Sequence, residues 1–131
     1  MEEERPKLIL LGAGGHCASA IDVIETEDHY DILGIIDKDK RIGDVFQGYP
    51  ILGSDEDIAF FNQSNHFFLI TVGQIKNYVI RKKLFEIVQK EGGKWAKVIS
   101  PLAYVSNRAE IGVGTIIMHN VVIGPNVKIG I

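Results

Sequence analysis

Cysteine is nearly absent: Cys17 is the only one in 131 residues. A lone thiol cannot close an intramolecular disulfide and has no second cysteine with which to begin a zinc knuckle, so a disulfide framework and a structural zinc site are both excluded. Positive charge is not in surplus either. Fourteen Lys and Arg against seventeen Asp and Glu leave a net charge of −3 and a pI of about 5.8, with the two signs interspersed. That balance offers no footprint for nucleic acid or for an anionic membrane surface. No apolar stretch approaches the ~20 residues needed to cross a bilayer. The one charged run, Met1 to Glu4, is acidic, the wrong sign for the n-region of a signal peptide, so a cytoplasmic protein is expected. What the chain does have is apolar residues, 46% of the total, in a length that suits one ordinary domain with a core of its own.

The stretch Leu10-Leu11-Gly12-Ala13-Gly14-Gly15-His16-Cys17 sets three glycines and a histidine directly behind an aliphatic run. Leu8 to Leu11 reads as a buried strand, and Gly12, Gly14 and Gly15 allow a tight turn whose backbone N–H groups can approach a ligand closely. From Lys7 to about Ser100, short apolar runs alternate with amphipathic ones, which predicts βαβ units and a mainly parallel sheet, an α/β fold. Strands are expected at Lys7–Leu11, Ile32–Asp37, Phe67–Val72 and Trp95–Ile99. The second is hydrophobic enough to be buried on both faces. Helices are expected at His16–Glu27 and Asn77–Glu91, the latter from apolar residues at Val79, Ile80, Leu84, Ile87 and Val88 and ending at Gly92-Gly93. Between them lie the turn-bounded segment Gly48–Gly53 and a capping box at Ser54–Asp57 that opens a short helix.

After Pro101 the pattern changes. Val105, Ile111, Ile117, Ile123 and Ile129 recur every six residues, and glycine follows three of the isoleucines. A six-residue period with an aliphatic at the repeat position predicts a β-helix in which each hexapeptide forms one face of a coil. The competing pattern is two hairpins turning at Gly112–Gly114 and Gly124–Asn126. Only about one and a half coils fit before Ile131, with no polar capping sequence after Lys128. Since ~3 repeats are usually needed for stability, we expect a fragment of a longer protein, or other chains over the open end.

Gly12-Ala13-Gly14-Gly15-His16 after the first strand, Ile35-Ile36-Asp37-Lys38 at the second, Gly48–Gly53, Thr71-Val72-Gly73 and Ile99-Ser100-Pro101 leading into hexapeptides occur in an order that resembles the N-terminal portion of the NeuD/PglD-like sugar acyltransferases. The resemblance spans residues 7 to 130. It implies a Rossmann-like nucleotide-sugar-binding domain over residues 1–100 and, over 101–131, the beginning of a left-handed β-helix. It further implies a homotrimer and transfer of acetyl from acetyl-CoA to a sialic acid or a nucleotide-linked sugar, in bacterial surface-glycan biosynthesis. By the same resemblance Gly14, Gly15 and His16 face the pyrophosphate or sugar, Asp37 and Lys38 the base and ribose, and Gly12 and Gly73 line the same crevice. The family's catalytic histidine lies farther along the β-helix, beyond Ile131. His119 precedes Asn120 and falls about one coil too early, so that role is not transferred to it.

Each of these residues has a plainer reading. His16 could be a first-turn helix residue, Asp37 a strand-end turn residue in an alternating charge run, and Gly73 a turn glycine. Cys17 reads as a small core residue and His119 as a surface position of the repeat, while His29 and His66 fall in connecting segments and carry no signal. Two other functions compete: a non-catalytic nucleotide-binding or trimerisation module, and a nicotinamide-dependent oxidoreductase suggested by Gly12-x-Gly14 with Asp37 downstream. The second fails at Cys17, which stands where the dinucleotide fingerprint needs its third glycine.

Overall fold

A computed structural model describes residues 5–73 and 78–130. The acidic run at Met1–Glu4, the expected helix start at Asn77 and Ile131 lie outside those residues. The elements run β1 (Lys7–Leu11), α1 (Gly15–Glu27), β2 (Asp31–Ile36), β3 (Val45–Phe46), β4 (Tyr49–Gly53), a 3₁₀ turn (Asp55–Asp57), α2 (Ile58–Phe61), β5 (His66–Ile70) and α3 (Tyr78–Lys90). Six two-residue strands follow: β6 (Val98–Ile99), β7 (Tyr104–Val105), β8 (Glu110–Ile111), β9 (Ile116–Ile117), β10 (Val122–Ile123) and β11 (Lys128–Ile129).

The first five strands form one mixed α/β layer in the order β3-β4-β2-β1-β5, parallel throughout except where β3 meets β4. Alternation along β1 decides the layering, because successive side chains leave a strand on opposite faces. Leu8 and Leu10 pack with Cys17, Ala20, Ile21 and Ile24 of α1, while Ile9 and Leu11 pack with Ile58, Leu84, Val88 and Trp95 on the other side. All four β1 residues are fully buried, each worth roughly 1.5–3 kcal/mol of transfer free energy. Alpha helices therefore cover both faces of the sheet. On α3, Leu84 and Val88 are buried, but Val79 faces solvent, 76% exposed.

The expected burial of the second strand on both faces holds only for its end. Ile35 and Ile36 are buried, whereas residues 31–33 are half-buried, because β4 pairs with β2 only at Ile35 and Ile36. The expected strand Trp95–Ile99 is divided. Trp95 bridges Phe68 at the sheet edge, and Val98–Ile99 leaves to pair with Ile116–Ile117. The hexapeptide segment forms no hairpins. Its strands pair in parallel, each with the strand eighteen residues on: Val98 with Ile116, Tyr104 with Val122, Glu110 with Lys128. Gly114, Asn120 and Asn126, six residues apart, all adopt positive φ (80°, 63° and 66°) at the bends between strands, a conformation glycine and asparagine take most readily.

This segment sits on α1. Val98, Ile116 and Met118 join the cluster that α1 buries, and the Ile99 N–H donates to the Glu27 carboxylate at 2.9 Å. His119 is half-buried rather than a free surface residue. One ring nitrogen meets the Ser100 hydroxyl at 2.5 Å and the other the Asp22 carboxylate of α1 at 3.1 Å. A carboxylate only accepts, so Nε2–H donates to Asp22, and in the neutral ring Nδ1 then accepts from the Ser100 hydroxyl, whose oxygen takes the Leu102 N–H.

Of the glycines in the first turn, Gly12 alone is demanded by the fold. Its φ is +116°, and a Cβ there would fall 2.3 Å from Val72 Cγ1. A Cβ at Gly14 or Gly15 would meet nothing within 4 Å, and Gly14 is extended at φ −169°. Gly12→Ala is thus expected to lower the unfolding free energy by about 2 kcal/mol or more in urea titration, backbone strain alone costing of order 1–3 kcal/mol. Gly14→Ser, at the N-cap of α1, is expected to lose no stability.

Candidate functional site

Parallel strands whose order reverses direction leave a crevice outside their carboxyl ends. Here the chain moves from β1 outward through β2 and β4, then returns to β5 on the other side of β1, so the crevice opens where β1 and β5 end. Three hydrogen bonds stitch it: Gly12 N–H to Ile36 O at 2.9 Å, Thr71 N–H to Leu11 O at 3.0 Å, and the buried Thr71 hydroxyl to Gly12 O at 2.7 Å. The turn beyond is then free to present Gly14, Gly15 and His16 at the start of α1.

That start is bare. No side chain caps it and no acid occupies its first turn. Its leading N–H groups have no intrahelical partner, as at any helix start, and carry the positive end of the helix dipole. With Gly14 and Gly15 both exposed, the amides are open to an anion. His16 is half-buried beside them, and no described residue hydrogen-bonds its ring. Burial holds its pKa below the usual 6.5, and the Arg81 cation lowers it further. The imidazole is therefore neutral at pH 7 and able to donate through one nitrogen and accept through the other.

Four of the expected residues line two separate hollows, and Gly14, Gly15 and Gly73 line neither. Gly12, Asp37 and Lys38 line a small one of about 70 Å³, floored by Ile36, Val72, Ile80 and Leu84. His16 lines a larger one of about 360 Å³, together with Ile70, Arg81 and the repeat residues Gly114 to Met118. Asp37 also has a part in the fold. Its two oxygens accept the Ala13 and Asp39 N–H groups, both at 2.8 Å, so the carboxylate shapes the glycine turn and keeps a lone pair on each oxygen. Lys38 is exposed at the rim, and Gly73 is half-buried after β5. Cys17 is fully buried, and burial raises its pKa, which leaves the thiol protonated and inert. A roomier depression, about 510 Å³, lies elsewhere, between Ser54–Ala59 and α3. There Lys83 lies 3.8 Å from the Asp55 carboxylate.

Arg81 is the residue that sequence reading passes over. In Ile80-Arg81-Lys82-Lys83 it looks like one cation of a solvated helix face, yet Lys82 and Lys83 are exposed while Arg81 turns inward, its Nη1 donating to Val72 O at 3.1 Å. Burial lowers its pKa. The available signal was its place in the first turn of the helix that follows Thr71-Val72-Gly73.

Residues 7–88 match the family model of the PglD N-terminal domain. A mimivirus protein of Acanthamoeba polyphaga, L142, described as uncharacterized, is 37% identical over 105 residues, 80% of this chain and 20% of that protein. Among solved structures, the acetyltransferase domain of PglB from Neisseria gonorrhoeae in complex with acetyl coenzyme A is 27% identical with a TM-score of 0.83, over 97% of this chain and 60% of that one. PerB from Caulobacter crescentus, in complex with CoA and GDP-perosamine, shares the fold at 23% identity and a TM-score of 0.82, over 95% of this chain and 56% of that one. The chain thus spans about a fifth of the curated relative and under two thirds of either structure.

His16 is expected to titrate with a midpoint below 6.5 when its ring protons are followed by NMR. Arg81→Gln should raise that midpoint without restoring it fully, because burial is the larger cause. The folded chain holds this proton less tightly than the unfolded chain, so stability falls as pH drops below about 6.5, and His16→Ala should flatten that part of the profile.

Proposed function

We propose, for a chain that belongs to the PglD N-terminal domain family, that it is the acceptor-binding part of an acetyl-CoA-dependent acetyltransferase acting on a nucleotide-linked sugar or sialic acid. The observation that carries this reading is the pair Gly14 and Gly15. The fold has no need of glycine at either position, since a Cβ would meet open space, but a ligand seated on the amide end of α1 would need that space empty. Phosphate is the anion such an end receives best.

On this reading residues 1–100 form the nucleotide-sugar domain, with Gly12, Gly14, Gly15 and His16 under the pyrophosphate and sugar. Asp37 and Lys38 lie toward base and ribose, and Gly73 lies on the crevice wall. Asp37 acts through the turn it braces as well as through any free lone pair. Residues 101–131 open a left-handed β-helix. The parallel pairing at an eighteen-residue offset supports this, since three hexapeptides make one coil, and the first paired strand, Val98–Ile99, begins slightly before that boundary. Full-length subunits would trimerise through this element and hold acetyl-CoA between neighbours, in the cytoplasm. Among the described residues no helix is long and apolar enough to cross a membrane.

The chemistry is direct transfer. The acceptor amine or hydroxyl loses its proton to a histidine of the β-helix and attacks the thioester carbonyl, and backbone N–H groups hold the oxyanion. That histidine is not His119, whose two ring nitrogens are committed to Ser100 and Asp22. Neutral His16 contributes orientation, offering a hydrogen bond without a charge that would compete for the phosphates. The complete fingerprint of a nicotinamide site is missing, because Cys17 fills its third glycine position and is fully buried against the sheet.

Calorimetric titration with UDP-, GDP- and CMP-sugars and with NADH tests the reading. One sugar nucleotide is expected to saturate. Gly15→Val should fold with an unchanged melting temperature and bind at least about tenfold more weakly, a loss of about 1.4 kcal/mol. NADH binding alone would contradict the proposal.

A further inference from the structure

Arg81 is a half-buried cation. Its recorded bond is to the Val72 carbonyl at 3.1 Å, which satisfies one of five guanidinium N–H groups. Among the described residues no carboxylate forms an ion pair with it. The sequence places no Asp or Glu anywhere from Thr71 to Phe85, and Glu86, the next acid along the helix, makes no ion pair with it either. Its neighbour Lys83 does find a carboxylate, Asp55 at 3.8 Å. A desolvated charge left unpaired is costly, and proteins normally pair it or give it a ligand. Arg81 lines the 360 Å³ hollow together with His16, across from Gly114 to Met118. His16 itself stands in the first turn of α1, next to its uncapped start.

We propose that Arg81 is a substrate-binding residue that clamps the diphosphate of the nucleotide-sugar against the amide end of α1. The proposal rests on the reading given under Proposed function and adds to it a cation for the phosphates. A planar guanidinium suits the task, because its remaining N–H groups can meet two phosphate oxygens at once while the Val72 carbonyl fixes its orientation. Placed there it also explains why His16 can stay neutral beside two phosphates: the neighbouring arginine supplies the charge and the imidazole is left to bond to the sugar. Coenzyme A carries a diphosphate too, so the two sources must be separated by measurement.

The test is calorimetric titration of the wild-type chain, Arg81→Lys and Arg81→Gln with UDP, GDP and coenzyme A, with uridine and guanosine as phosphate-free controls. The expected result is that one nucleoside diphosphate binds the wild type, Arg81→Gln weakens it about tenfold or more, and Arg81→Lys recovers part of the loss. Affinity for the matching nucleoside should stay unchanged in all three, and the salt dependence of diphosphate binding should be shallower in Arg81→Gln. Arg81→Lys keeps the charge and a donor for Val72, so it reports even if the glutamine variant folds poorly. Equal diphosphate affinity in wild type and both variants would overturn the clamp while leaving the nucleotide-sugar reading intact. An effect confined to coenzyme A would also overturn it, giving the arginine to the acyl donor. Failure of the wild type to bind either nucleoside diphosphate would overturn the clamp, and failure to bind a CMP-sugar as well would overturn the underlying reading with it.

Discussion

Gly12 is the joint on which this structure turns. Its N–H reaches the end of β2, its carbonyl takes the hydroxyl of Thr71 beyond β5, and Val72 presses so close that no side chain could stand at that position. Three parallel strand ends are thereby fixed relative to one another at a single residue. Asp37 completes the brace by holding the next amide, Ala13. Everything functional lies downstream of this joint: the turn delivers Gly14 and Gly15 to the surface, sets His16 at the first turn of α1, and leaves the crevice open between β1 and β5.

Alpha-helix α1 carries that geometry to the second half of the molecule. One end holds the glycines and His16. Farther along, Asp22 receives His119 and Glu27 receives the Ile99 amide, while its apolar stripe is shared between the sheet and the first strands of the repeat. The larger hollow is bounded by both halves, by His16 and Arg81 from one and by Gly114 to Met118 from the other. A ligand there would touch two elements whose relative placement depends on one helix, so polar bonds far from the hollow help define its width.

Much of this was legible in the sequence, and for identifiable reasons. Runs such as Leu8–Leu11 and Phe67–Ile70 reveal buried strands because alternation cannot be polar when both faces are covered. The six-residue period of Ile111, Ile117, Ile123 and Ile129 marks the repeat because one aliphatic per strand must face inward. What stayed hidden depends on contacts between distant residues. The split of Trp95–Ile99 follows from competition between Phe68 and Ile116 for pairing. The half-buried start of β2 follows from where β4 begins to pair. Asp37 shows in sequence only as a strand-end carboxylate, and its bonds to the Ala13 and Asp39 amides emerge from the fold. Arg81 hides among Lys82 and Lys83, since a helix face that turns inward at one residue has no signature in charge alone. Gly12, Gly14 and Gly15 look alike in sequence, and only the space around each separates the one that folding requires from the two it does not.

That separation is the centre of the account, and amide NMR of the chain during titration with UDP- and GDP-sugars tests it most directly. The account predicts that the N–H signals of Gly14, Gly15 and His16 shift together and saturate with one of these ligands, as expected for phosphate seated on the start of α1. Saturable binding that leaves those three signals unmoved, with shifts gathered instead around Asp55, Lys83 and Glu91, would contradict it.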